Sequence, residues 1–111
     1  MNSLNKDDYI TILQYYSIPY QDLTLFEMAA KAEDILANKL CRCIKKVEKT
    51  TKDKKKAIAV CTNSVLKQRN LKVYKYKCDK KIQLIPHKKT RKKLHKTSKR
   101  VKMGTRRYLS K

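Results

Sequence analysis

The chain has a single glycine in 111 residues, Gly104. No other feature restricts it as much. Loops that cradle phosphate need several glycines so that the backbone can approach the ligand closely. A Walker loop and a dinucleotide fingerprint are therefore both excluded. Just two prolines, Pro19 and Pro86, punctuate the chain, so long uninterrupted helices are open to it. The two histidines, His87 and His95, stand among lysines, with no neighbour in sequence that would orient an imidazole as a base. No catalytic constellation assembles, and no enzymatic activity and no small-molecule substrate are expected.

Charge divides the chain in two. Residues 1–53 hold eight Lys/Arg and eight Asp/Glu. Residues 54–111 hold 22 Lys/Arg and one acid, Asp79, and so carry the whole formal charge of +21. Such a division predicts a folded body joined to an arm for polyanions. A chain of this length makes one small domain, with a core modest enough to need a metal, a partner or very good helix packing. No run of 18 apolar residues is present, so no membrane span is expected. The opening "MNSLNKDDYI" lacks a basic stretch followed by an apolar one, which predicts that the protein is not secreted. A reducing cytosol then follows, where disulfides are not expected.

Local signals order the elements. In "NKDDYITILQYYSIP", Asn5 suits a helix cap, Asp7 and Asp8 suit the first turn, and Pro19 follows the end. Tyr9, Ile12, Leu13 and Tyr16 recur on one face. Tyr9, Tyr15, Tyr16 and Tyr20 are read as core in preference to a base-stacking stripe. "LTLFEM" is a full helix start: Thr24 caps, Glu27 closes a capping box, and Leu23 and Met28 stand at the staple positions. Leu25, Ala29, Ala32, Leu36, Leu40, Cys43 and Val47 then hold one stripe. "EKTTKDKKK" has no apolar residue and reads as a solvated linker. "KAIAVCTNSVLKQRN" reads as a short helix with Ile58, Cys61 and Val65 on one side and Asn70 as a left-handed cap. "LKVYKYKC" alternates and "IQLI" offers a partner strand.

The predicted fold is α+β and mainly helical, with three helices, a C-terminal β-hairpin and then a basic disordered tail. Residues 1–86 form the domain, with helices at about 6–17, 25–48 and 57–69 and a hairpin at about 72–85. Residues 87–111 form the polybasic tail, with twelve Lys/Arg, no acid and apolar residues too sparse to bury.

Four cysteines, Cys41, Cys43, Cys61 and Cys78, allow two accounts. As the four ligands of a structural zinc they would explain how so small a body stays folded. Against this, residues two apart on a helix point about 200° away from each other, so Cys41 and Cys43 cannot both face one ion unless the helix unwinds near Leu40. As core thiols, Cys43, Cys61 and Cys78 each fall on the apolar face of their own element and Cys41 lies near the opposite side. The geometry favours core thiols, and zinc, the one cofactor the residues suggest, stays open.

At "ILANKLCRCIKKV", "AIAVCTNSVL" and "YKYKC" the chain resembles small, lysine-rich, four-cysteine proteins encoded by nucleocytoplasmic large DNA viruses, the asfarvirus and giant-virus group. The shared features are C-x-C followed by Ile-Lys-Lys, a cysteine within Ile-Ala-x-Cys-Thr-x-Ser, and an aromatic-Lys-Cys strand end, over about residues 33–78. Members commonly carry a glycine before the last strand, where this chain has Asn70-Leu71. The resemblance implies a viral protein in a virion or viral factory, in the infected-cell cytoplasm or nucleus, and implies no mechanism.

Nucleic acid, DNA ahead of RNA, is the expected partner. Lysine outnumbers arginine, which favours contact with phosphates over bidentate reading of bases. The expected contacts are Lys88, Lys89, Arg91, Lys92, Lys93, Lys96, Lys99, Arg100, Lys102, Arg106 and Arg107, with Lys75 and Lys77 assisting from the strand. Binding would be salt-sensitive and weakly sequence-specific, in genome packaging or transcription. The alternative is a minor virion or capsid protein whose arm docks on acidic protein, such as another viral structural protein, or on packaged DNA. A ribosomal-type RNA protein is a third class, and Lys88–Arg100 also fits an import signal. A membrane partner is not expected, since the tail has no apolar face to insert.

Overall fold

A computed structural model describes residues 2–79 and 81–103. Helix α1 spans Lys6–Tyr15, α2 Leu25–Thr51 and α3 Lys54–Val65, and a 3-10 turn follows at Lys67–Arg69. Five short strands complete it: β1 Asn2–Ser3, β2 Leu71–Lys72, β3 Lys75–Lys77, β4 Gln83–Ile85 and β5 His95–Lys96. The architecture is mixed α+β and mainly helical, as the sequence predicts.

Each helix starts where its cap dictates. Asn5 Oδ1 accepts from the Asp8 amide at 2.9 Å, and Asp8 Oδ2 accepts from the Asn5 amide at 2.9 Å. Thr24 and Glu27 close the second box, at 3.2 and 3.0 Å. At the end of α1 the Ile18 amide donates to Leu13 O at 2.9 Å and the Ser17 amide to Gln14 O at 3.0 Å, a Schellman arrangement. Its left-handed position would ordinarily be glycine, and Ser17 fills it with φ 58°. Lys52, Asn70 and Arg91 do the same elsewhere, so the scarcity of glycine is met by strained ordinary residues.

Two elements differ from expectation. The stretch "EKTTKDKKK" is not a linker. Helix α2 runs on to Thr51, Lys52 turns left-handed, and Asp53 caps α3 by accepting from the Lys56 amide at 3.2 Å. Lysine and glutamate are good helix formers, so absence of apolar residues did not stop the helix. The stripe of α2 is also broader than the predicted one. Met28, Ala32, Leu36, Ala37, Leu40, Cys41 and Ile44 are buried, whereas Leu25 is exposed. Helices α1 and α3 and strand β4 all pack on α2, and together they cover more than one narrow face.

The larger correction concerns the tail. Strand β5 is the centre of an antiparallel sheet ordered β1-β5-β2, in which Asn2 and Leu71 both stand opposite Lys96, and Ser3 and Lys72 both stand opposite His95. Leu94, Val101 and Met103 join the core. The expected disorder from residue 87 therefore does not hold through Met103. Apolar residues too sparse to make a core of their own are each inserted into the core of the body. The second sheet is the expected hairpin, shortened to β3 and β4, with Tyr76 opposite Leu84.

The cysteines are neither zinc ligands nor free thiols. Cys41 is bonded to Cys78, with 5.5 Å between their Cα atoms, and Cys43 to Cys61, with 5.7 Å. The divergence of positions 41 and 43 around α2 is real, and each faces a different partner element. Cys41 is buried, not outward-facing, because the hairpin covers its side of the helix. Among the described residues no group of three or more His, Cys, Asp or Glu is placed to hold a metal, and the four expected zinc ligands are paired as two disulfides instead. Disulfides persist in oxidising surroundings, which runs against the reducing compartment expected from the sequence.

Candidate nucleic-acid interface

The cationic residues fall into three sets. The first is a turn between β4 and β5. The His87 amide donates to Lys92 O at 2.9 Å and the Arg91 amide to His87 O at 2.7 Å, which closes the loop. Lys88, Lys89 and Arg91 lie on it, exposed. Thr90 Oγ1 anchors the loop from within, accepting from the Lys92 amide at 3.2 Å and standing 2.8 Å from His95 Nε2. Lys92 is exposed and Lys93 half-buried. Both lie near Glu33 of α2, whose carboxyl is pushed above its ordinary value mainly by burial, with the two lysines pulling it back.

The second set follows β5. Lys99, Arg100 and Lys102 are exposed. Their backbone is fixed by Asn70 Nδ2 donating to Arg100 O at 3.0 Å and by the Lys102 amide donating to Arg69 O at 3.1 Å. Lys99 and Arg100 border a polar cleft shared with Asp7 and Asp8, so they face the acidic first turn of α1. The third set is Lys75 and Lys77, exposed on β3. Arg106 and Arg107 lie outside the described residues.

Lys96 does not belong with these. Its Nζ donates to Asp8 Oδ2 at 2.7 Å and to Lys99 O at 3.0 Å, and the two side chains are 8% and 10% exposed. It is a buried ion pair that fastens the C-terminal strand to the start of α1. On a strand, neighbouring side chains point to opposite faces. Lys96 takes the α1 side and His95 the other, where its ring lies 5.2 Å from that of Tyr74 and 6.0 Å from that of His87. Burial first, then the neighbouring His87, holds the His95 imidazole below its ordinary pKa. Its Nδ1 is buried and has no hydrogen-bond partner among the described residues. No neighbour in sequence orients this histidine; the fold does so through Thr90.

Among other cations, Arg69 lies over the Tyr15 ring at 5.0 Å and its Nη1 donates to Tyr16 Oη at 2.5 Å. Lys72 Nζ lies 5.1 Å from the Tyr74 ring centroid. Tyr9 is buried, and Tyr15, Tyr16 and Tyr20 are half-buried against the core. No helix among the described residues is long and apolar enough to cross a membrane. No family model, curated protein or solved structure matches the chain.

Proposed function

We propose that the protein binds nucleic acid through its phosphates, with the closed loop carrying Lys88, Lys89 and Arg91 as the centre of the contact. The observation that carries this is the exposure of these three cations on a turn held by its own backbone, in a half-chain whose one acid is Asp79. Each phosphate neutralised releases condensed counterions, which drives binding without sequence readout. Lys75, Lys77, Lys92, Lys99, Arg100 and Lys102 extend the footprint. Lys96 is left out of it because its charge is already matched by Asp8.

A second setting is favoured by the disulfides. A virion supplies both packaged nucleic acid and the oxidising surroundings in which such bonds persist, and the resemblance implies the same place. A structural protein of a viral particle that touches the genome through this loop satisfies both.

The test is a salt titration of binding to a duplex. For ~6–10 phosphate contacts, affinity falls ~10³–10⁵ between 50 and 200 mM salt. Replacing Lys88, Lys89 and Arg91 together by Gln should lower the slope of log K against log salt by about 2.7, at about 0.9 per phosphate. Binding indifferent to ionic strength would refute the proposal. Point substitutions are needed because deleting residues 87–111 would also remove Leu94, Lys96, Val101 and Met103 from the fold.

A further inference from the structure

On α2, α3 and the hairpin there is a second feature that the cationic loop does not use. A cleft of about 600 Å³ lies between these three elements, within the ~300–1,000 Å³ usual for small-ligand sites. Ile44 of α2, Ile58 of α3 and Tyr76 of β3 give it an apolar lining. Lys54, which opens α3, Lys77, which closes β3, and Lys81, in the connection to β4, also line it, against one acid, Asp79. Lys54 and Lys81 come from separate segments and border one space, whereas Lys77, adjacent to Tyr76 on β3, directs its side chain to the opposite face of the strand. The elements are also cross-linked around it. The Cys41–Cys78 bond ties the end of β3 to α2, and the Cys43–Cys61 bond ties α2 to α3. A site whose three walls are covalently joined loses little conformational freedom when it is filled.

An apolar, aromatic lining bordered by lysines of two segments suits a ligand that is flat and apolar in one part and anionic in another. We infer that this cleft receives an unpaired base of a single-stranded nucleic acid, the base lying against Tyr76 and its flanking phosphates meeting Lys54 and Lys81. Stacking on an aromatic ring is sequence-tolerant, because every base has a π-face. A duplex cannot offer its bases in this way without unstacking them, so the cleft selects for single strands. The inference rests on the nucleic-acid reading and adds to it a preference that phosphate contact alone does not give. The burial of Tyr76 that places its ring in the lining also raises its hydroxyl pKa above the ordinary value.

The experiment compares a labelled 12-nucleotide single strand with the duplex of the same sequence, in the same low-salt buffer, using the full oxidised chain. The single strand should bind more tightly, and inorganic polyphosphate should compete for the duplex better than for the single strand. Tyr76→Leu keeps apolar bulk in the lining and removes the π-face; it should weaken single-strand binding about tenfold and leave duplex binding unchanged. Lys54→Gln, at an exposed site, should weaken the single strand selectively without altering thermal unfolding. A strand carrying 5-iodouracil should photo-crosslink to Tyr76. If both substrates bind equally and Tyr76→Leu is silent, or if the crosslink maps to the Lys88–Arg91 loop, the cleft is not a base site although phosphate binding stands. If neither nucleic acid binds in dilute salt, the underlying function fails and the cleft inference with it.

Discussion

Lys96 separates a folded C-terminal segment from a free arm, and its removal has a calculable cost. In Lys96→Met the stem is kept and the ammonium lost. Asp8 then retains the Asn5 amide as a donor, while Lys99 O loses the Nζ that donated to it at 3.0 Å. The carboxylate stays where its side chain is only 10% exposed. Breaking a buried pair by removing one partner costs ~3–5 kcal/mol, because the remaining charge is uncompensated. Asp8→Asn leaves the ammonium in the same position and should cost a similar amount. The double variant leaves no buried charge, so its loss should fall short of the sum of the singles by up to ~3 kcal/mol. Lys99→Met, at an exposed side chain, is the control and should stay within about 0.5 kcal/mol of the parent. Urea unfolding of the oxidised protein, followed by circular dichroism, measures all four. A loss below ~1 kcal/mol for Lys96→Met, or simple additivity in the double variant, would show that the pair does not hold β5 in place. Lys96 would then return to the list of phosphate contacts.

Two further outcomes test the rest of the frame. The disulfides close chain separations of 37 and 18 residues, which on loop-closure entropy corresponds to ~4 and ~3 kcal/mol of stability. Unfolding curves with and without reductant should differ accordingly, and superimposable curves would count against both bonds. For His95 the folded pKa lies below the unfolded one, chiefly through burial. Its contribution is therefore complete above the ordinary imidazole value near ~6.5. It is lost as pH falls below that value toward the depressed folded pKa, because the unfolded state binds the extra proton. Stability should decline over that acid window, and His95→Gln should flatten the slope. The groups around the imidazole are His87, Tyr74 and Thr90, with Lys72 and Ser3 opposite it on the flanking strands.

Local chemistry was legible in the sequence wherever a single turn of chain decides the outcome. Asn5, Thr24 with Glu27, and Asn70 act where they were expected, because caps are bonds between residues three or four apart. What covers an element is not local, and there the sequence misled. Leu25 fits the α2 stripe by spacing yet is half exposed, while Cys41, assigned to the far side, is buried under the hairpin. Residues 94–103 failed for the same reason. Their hydropathy describes a segment unable to bury itself, and says nothing of a body with vacancies for Leu94, Val101 and Met103. Lys96 looked like every other lysine of the tail, and only its distance of 88 residues in sequence from Asp8, closed to 2.7 Å, distinguishes it. Lys54 and Lys81 of the cleft carried no sequence signal at all, lying in stretches read as linker and turn.

The packed C-terminal segment changes what its charge can do. A disordered arm adapts to any polyanion but loses much of its interaction energy to ordering on binding. Lys88, Lys89 and Arg91 stand on a loop already closed by the His87–Lys92 and Arg91–His87 bonds, and Thr90 ties that loop to buried His95. Little backbone entropy remains to be lost when phosphate arrives, so each contact retains more of its energy. The cost is reach, since a fixed loop cannot thread along a neighbour as a free arm does. A rigid cationic loop also transmits what happens beneath it. Protonating His95 places a charge in a buried setting beside the residue that anchors the loop, so the acid window that weakens the fold should also loosen the contact. Phosphate affinity would then fall on acidification even as His95 gains positive charge, the opposite of what a freely solvated polybasic tail would do.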